Sequence, residues 1–177
     1  MEEISLFKNI FIEDKSDFRK LKNDITPDIS NNPLLKFECQ IPVLEKISYY
    51  IEEIVLRHGG KEAEMFVGFQ KLSRAEAVWE RYLNIADRVK KLYIFGQKNT
   101  KLKSHPNINF IYLPEQHPLI REWFLIMNLP KAKSILVAYD LDGFGKFENE
   151  KNRHFRGIKS NNPSHVKTAI NLLEKII

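Results

Sequence analysis

Gln70, Ser73 and Arg74 sit where an apolar run ends and a helical pattern begins. A helix N-terminus presents free N–H groups and partial positive charge, so this position suits an anion. Ser73-Arg74-Ala75-Glu76 reads as a capping box, in which serine and glutamate each satisfy a free N–H. A serine cap with exposed neighbours is the simpler reading of the same residues. FVGFQKLSR matches neither GxxxxGK[ST] nor GxGxxG, so it is not a glycine-rich phosphate loop. Arg121, Glu122 and Trp123 open a long apolar run. A charged pair beside tryptophan can line a pocket, or it can pair with other charges around a buried ring. Arg81 is placed mid-helix to meet a carboxylate, with Tyr82 facing the core, and Arg153 and Phe155 are placed to close the same edge.

Other chemistries fit poorly. Asp140-Leu141-Asp142-Gly143 resembles part of a calcium loop, but Phe144 and Lys151 would fall at positions five and twelve, where acidic ligands are needed. His58, His105, His117, His154 and His165 are scattered without ligand spacing. Cys39 is the single cysteine and lies in no nucleophile signature, so neither a disulfide nor a cysteine-based zinc site can form within the chain. No metal and no catalytic residue is assigned, and the cofactor is left unknown.

These residues need elements to hold them. Trp123, Leu125, Met127 and Leu129 share one face of an apolar run, and Phe124 and Ile126 share the other. A strand apolar on both faces is covered on both sides. Ser134–Tyr139 reads alike, and Pro130 separates the two runs, which predicts a central hairpin. Further strands are predicted over 63–69, with Gly68 marking a bulge or close backbone approach, and over 92–95, 108–113 and 155–158. The clearest helix is Ile41 to His58: Leu44, Ile47, Ile51, Ile54 and Val55 make its apolar stripe, with Glu45, Lys46, Glu52 and Glu53 opposite. Shorter helices are predicted over 4–12, from Ala75 to about Val89, and after Asn162-Pro163 at the C-terminus. The polar segment 13–40 is expected to be irregular. The result is a single α/β domain over 1–177, in the mixed α+β manner, with a central mixed sheet of five to six strands and helices on its faces.

At 177 residues with 43% apolar content, the chain can bury a core without metals or disulfides. The net charge of +5 gathers at Lys98, Lys101 and Lys103, and again at Lys146, Lys151, Arg153, Arg156 and Lys159. With no zinc finger, RNP-like strand or basic recognition helix, these read as a solvated surface, and nucleic acid is not expected. No apolar run reaches the roughly 20 residues a membrane span needs, and MEEISLFKN is no signal peptide, so a cytoplasmic location is expected.

The ordered set FVGFQKLSR, Arg81-Tyr82, YIFG, PLIREWFLIM, LVAYDLD and RHFRGI before a terminal helix resembles the DICT sensory domain, a family associated with diguanylate cyclases and two-component systems. The resemblance runs from about Ile4 to Ile177. It implies a bacterial, often cyanobacterial, cytosolic sensory or regulatory domain. Its implied partner is a signalling protein, a kinase, cyclase or transcription regulator, and both a small ligand and a homodimer are compatible with it. No output domain follows in this sequence, so the state of the domain is expected to be read by another chain. Leu172 and Ile176 widen the apolar stripe of the last helix and are the residues expected at such a partner edge. A nucleotide- or anion-binding module using the Gln70–Arg74 turn is the second reading, and a small enzyme the third.

Overall fold

Eight strands form one mixed sheet, ordered β1-β2-β8-β7-β6-β3-β4-β5, its central strands apolar on both faces. The structure is a computed structural model describing residues 1–11 and 17–177. The strands are β1 (Arg19–Lys20), β2 (Leu34–Gln40), β3 (Gly60–Lys71), β4 (Val89–Gln97), β5 (Ile108–Tyr112), β6 (Glu122–Asn128), β7 (Lys133–Asp140) and β8 (His154–Ser160). The helices are α1 (Leu6–Phe11), α2 (Ile41–His58), α3 (Trp79–Ala86) and α4 (Pro163–Leu173). β6 and β7 form the predicted hairpin at the centre, with Leu125 opposite Leu136 and Phe124 opposite Val137.

The two faces of the hairpin feed two separate cores. Leu125, Met127 and Leu136 join the core beneath α2 and α3. Phe124, Ile126, Ile135 and Val137 join the core that includes Leu6 and Phe11 of α1 and Val166, Ala169 and Leu173 of α4. β3 runs antiparallel to β6 and parallel to β4, so β3–α3–β4 is the expected crossover unit. Gly68 is required by close approach, although of a side chain rather than a backbone: a Cβ there would lie 2.2 Å from the Phe124 ring.

Several expectations are corrected. The sheet has eight strands rather than five or six. The added pair, β1 and β2, lies in the 13–40 segment expected to be irregular; residues 12–16 fall outside the described residues. In β2 the buried Leu35, Phe37 and Cys39 alternate with Lys36, Glu38 and Gln40. That period of two is hidden when polarity is averaged over the segment, and pairing with β8 along the whole strand satisfies its backbone. The third helix is shorter than expected, because Val89 already begins β4. Its lead-in, Leu72–Val78, is a 3-10 stretch capped from Lys71 without a side-chain bond, so Ser73 makes no capping box. Glu52, expected on the solvent side of α2, is buried because Arg81 and Tyr82 of α3 reach it.

Candidate functional site

The antiparallel turns of β6, β7 and β8 bring four segment ends together at one end of the sheet. Gln70 closes β3, Arg121 and Glu122 open β6, Asp140 closes β7, and Arg153 immediately precedes β8. Gln70 is buried at a φ of 65°, a left-handed conformation uncommon for a residue other than glycine. Its side chain explains the constraint. Nε2 donates to the Ile120 carbonyl at 3.0 Å and to Asp140 Oδ2 at 3.1 Å, and Oε1 accepts from Arg153 Nη1 at 3.2 Å. Backbone strain of this kind persists only where surroundings fix it.

Arg153 is fully buried and forms an ion pair with Asp140 through Nη1. Its Nε lies 2.9 Å from Glu150 Oε2, an ion-pair contact whose angle makes no hydrogen bond. Its Nη2 has no hydrogen-bond partner among the described residues. Buried polar groups are nearly always bonded, so an orphan guanidinium nitrogen is informative. Asp140 Oδ1 also accepts from the Asp142 and Gly143 amides at 3.1 and 2.8 Å, fixing the start of the following loop. Arg121 donates twice to the Asp140 carbonyl and packs against Gly143.

On the α2 and α3 side of the sheet lies a cavity of about 320 Å³. Trp123, Arg74, Tyr49, Glu52 and Arg81 are among its walls. Trp123 is only partly buried, donates from Nε1 to Ser48 Oγ at 3.0 Å, and meets Phe155 edge-on at 6.1 Å. The Arg74 guanidinium lies 5.2 Å from the Trp123 ring. Arg74 has cation–ring contacts but no hydrogen bond or ion pair among the described residues. Burial first, and then the charge of Arg153, lower its pKa to about 10. Arg81, in contrast, is spoken for: it bonds Glu52 at 2.9 Å and Glu53 at 3.0 Å and covers the Tyr49 ring at 4.0 Å. Burial raises the pKa of Glu52, and Tyr82 donates to it at 3.0 Å. A larger cleft of about 830 Å³ runs between residues 26–30 and α2, but it holds no unpaired buried charge.

The structure therefore sorts the expected residues into groups. Arg74, Arg81 and Trp123 share the cavity, with Phe155 against Trp123. Gln70, Arg121 and Arg153 share the buried network around Asp140. Ser73 belongs to neither: its amide donates to Asn99 Oδ1 at 2.9 Å and its hydroxyl accepts from Asn99 at 2.8 Å. The Ser73 N–H, one of those expected to face an anion, is thus already used. Glu122 also departs, since strand alternation turns it from Trp123 toward α1. There it accepts from Ser5 Oγ and from the Leu6 and Phe7 amides, the amides at 2.9 and 3.4 Å. Burial raises its pKa to about 7.

Sequence reasoning missed Lys71, Phe144, Glu52 and the structural role of Asp140. The signal for Phe144 was present: Gly143 and Gly145 flank it, both at positive φ, 80° and 88°. Ile176 is buried in the α1–α4 core and Leu172 is partly buried against it, so neither forms an exposed apolar edge. Among the described residues no cluster of His, Cys, Asp or Glu could hold a metal ion, and no helix is long and apolar enough to cross a membrane.

The family model described as the sensory domain in diguanylate cyclases and two-component systems, DICT, matches residues 30–141. No curated protein matches the chain. Among solved structures, a polyphosphate kinase from Porphyromonas gingivalis is similar at 14% identity and a TM-score of 0.51, over 84% of this chain and 24% of that one. The chain thus spans about a quarter of that kinase, and the likeness is one of fold. Nuc, a phospholipase D family member from Salmonella typhimurium, is similar at 11% identity and a TM-score of 0.41, over 73% of this chain and 85% of that one.

Proposed function

This chain belongs to the DICT family of sensory domains, and from that premise we propose that it senses a small ligand in the cavity between α2, α3 and the sheet. The bound state is then read by a signalling protein, a kinase, a cyclase or a transcription regulator, in a bacterial cytoplasm. The observation that supports this most is Arg74. A partly buried guanidinium with no carboxylate at ion-pair distance among the described residues, lying against the Trp123 ring at a cavity wall, is a feature that folding alone does not call for. Trp123 offers a ring to a planar group, and Arg74 offers the charge.

A ligand transmits a signal only by binding two states unequally. Arg74 sits on the 3-10 stretch that joins β3 to α3, and Arg81 ties α3 to α2 through Glu52 and Glu53. A ligand that moves Arg74 would pull on the start of α3 and, through it, on α2. The outer face of that helix pair is therefore the surface a partner would read, in place of the last helix.

The test is native mass spectrometry of purified protein beside an Arg74→Gln variant. A small molecule retained by the wild type and lost from the variant, with an unchanged melting temperature, is the expected result. Equal retention by both would place the ligand elsewhere. The same Arg74 also favours the nucleotide- or anion-binding reading.

A further inference from the structure

The Phe144 ring stands where the protein gathers positive charge. Its centroid is 4.0 Å from the Arg153 guanidinium carbon, 4.3 Å from Lys71 Nζ and 6.0 Å from the Arg74 guanidinium carbon. A phenyl ring can accept from none of their N–H donors in the way an oxygen can. Arg153 is fully buried and keeps one terminal nitrogen without a partner, and Arg74 has no hydrogen bond at all among the described residues. Two carboxylates, Asp140 and Glu150, face Arg153, whereas Glu45 is drawn to Lys151 at 3.5 Å. Three cations thus surround one neutral ring with their donors incompletely used.

The ring is carried on the loop that follows β7, between two glycines. Gly143 and Gly145 both hold positive φ, which other residues rarely adopt. Asp142 anchors the start of the loop to Asp140 and His154, whereas beside the ring the loop is held by Gly143 N to Asp140 Oδ1 at 2.8 Å and Gly145 N to Glu150 Oε1 at 2.9 Å. Glu150 is half-exposed, so the second of these bonds is readily exchanged for water.

We propose that the volume filled by the Phe144 ring is an oxyanion subsite for a phosphate group of the ligand, with Arg74, Arg153 and Lys71 as its donors. Phe144 is a built-in occupant that the phosphate displaces. A tetrahedral dianion suits donors arriving from several sides, two of them guanidinium groups. Arg74 belongs to both this subsite and the cavity, so the inference rests on reading the cavity as the ligand site. It names the ligand class: a planar ring against Trp123 with a phosphate in the place of Phe144.

The experiment is calorimetric titration of inorganic phosphate into the full chain at fixed ionic strength. An occupied site weakens apparent affinity by the fraction of open molecules, so Phe144→Ala should bind phosphate about tenfold more tightly than the wild type. Arg74→Gln in the same background should lose about tenfold, the worth of one charge-assisted bond. Equal affinity of wild type and Phe144→Ala, or no loss on adding Arg74→Gln, overturns the subsite. Should Phe144→Ala fail to fold, amide hydrogen exchange of Gly143 and Gly145 in the wild type decides the matter. Phosphate must accelerate that exchange, and an unchanged rate overturns the proposal. Adenosine, an uncharged planar probe, separates the two readings. Phosphate binding without quenching of tryptophan fluorescence by adenosine leaves the subsite and removes the cavity reading. Quenching by adenosine without phosphate binding does the reverse.

Discussion

Glu122 shows how much a single buried residue can control. Its carboxylate is sealed between β6 and α1, where three donors hold it and burial raises its pKa from 4.5 to about 7. A folded-state pKa above the unfolded value means the folded chain binds more protons between the two. Stability is therefore fully present below about pH 4.5 and is lost as pH rises through about 7. The full difference is about 3 kcal/mol, taking roughly 1.4 kcal/mol per pH unit. Urea midpoints of the wild type should fall between pH 5 and 8, and those of Glu122→Gln should be flatter across the same range. Parallel curves for the two proteins would show that some other group governs the dependence. Asp140 presents the opposite case, as the anion that balances the buried Arg153. Asp140→Asn removes the buried carboxylate and leaves only the half-exposed Glu150 beside that charge, and a loss of about 3 kcal/mol is expected in equilibrium unfolding.

Among the elements, β3 and β6 are fitted most closely. Gly68 of β3 faces Phe124 of β6, and an added Cβ would sit 2.2 Å from the ring. Gly68→Ala should cost about 1–3 kcal/mol as overpacking, measured by chemical denaturation. Adding Phe124→Leu should recover part of that loss, because contacting sites couple. A sum of the two single effects with no recovery would mean that the clash is relieved elsewhere. The last helix also reads differently at this scale. Its apolar excess was expected to face a partner, but Ile176 completes the core shared with α1, and Leu172 leans on it. Only Ile177 at the chain end remains largely exposed among the apolar residues there.

Over the whole molecule the +5 charge is less concentrated than its spacing in the chain implies. Arg153 is buried in the Asp140 network, and Lys159 is buried and bonded to Asn161. Arg156 pairs with Glu38 at 2.6 Å and Lys151 with Glu45 at 3.5 Å. Part of the run from Lys146 to Lys159 is thus buried or paired within the fold. Binding to a 20-base-pair DNA duplex should be undetectable near physiological salt. A tight complex with a steep salt slope would restore a nucleic-acid role.

Patterns that repeat within one element were legible in the sequence. The α2 stripe, the two-sided hairpin of β6 and β7, the β3–α3–β4 unit and the Asn162 cap all follow from local periodicity or local bonding. β2 was obscured because the polar chain before it outweighs its own alternation, and only the tertiary structure reveals that it pairs with β8 and β1. The site was legible as a set of residue types and not as a set of neighbours. Arg121, Glu122 and Trp123 are consecutive, yet strand alternation and chain reversal send them to the Asp140 carbonyl, to α1 and to the cavity. Whether a cation is paired was decided only in three dimensions. Arg81 finds Glu52 and Glu53 on another helix, while Arg74, seven positions earlier, has no carboxylate at ion-pair distance among the described residues. Pairing depends on distances between segments remote in the chain, and spacing along a single segment does not contain them.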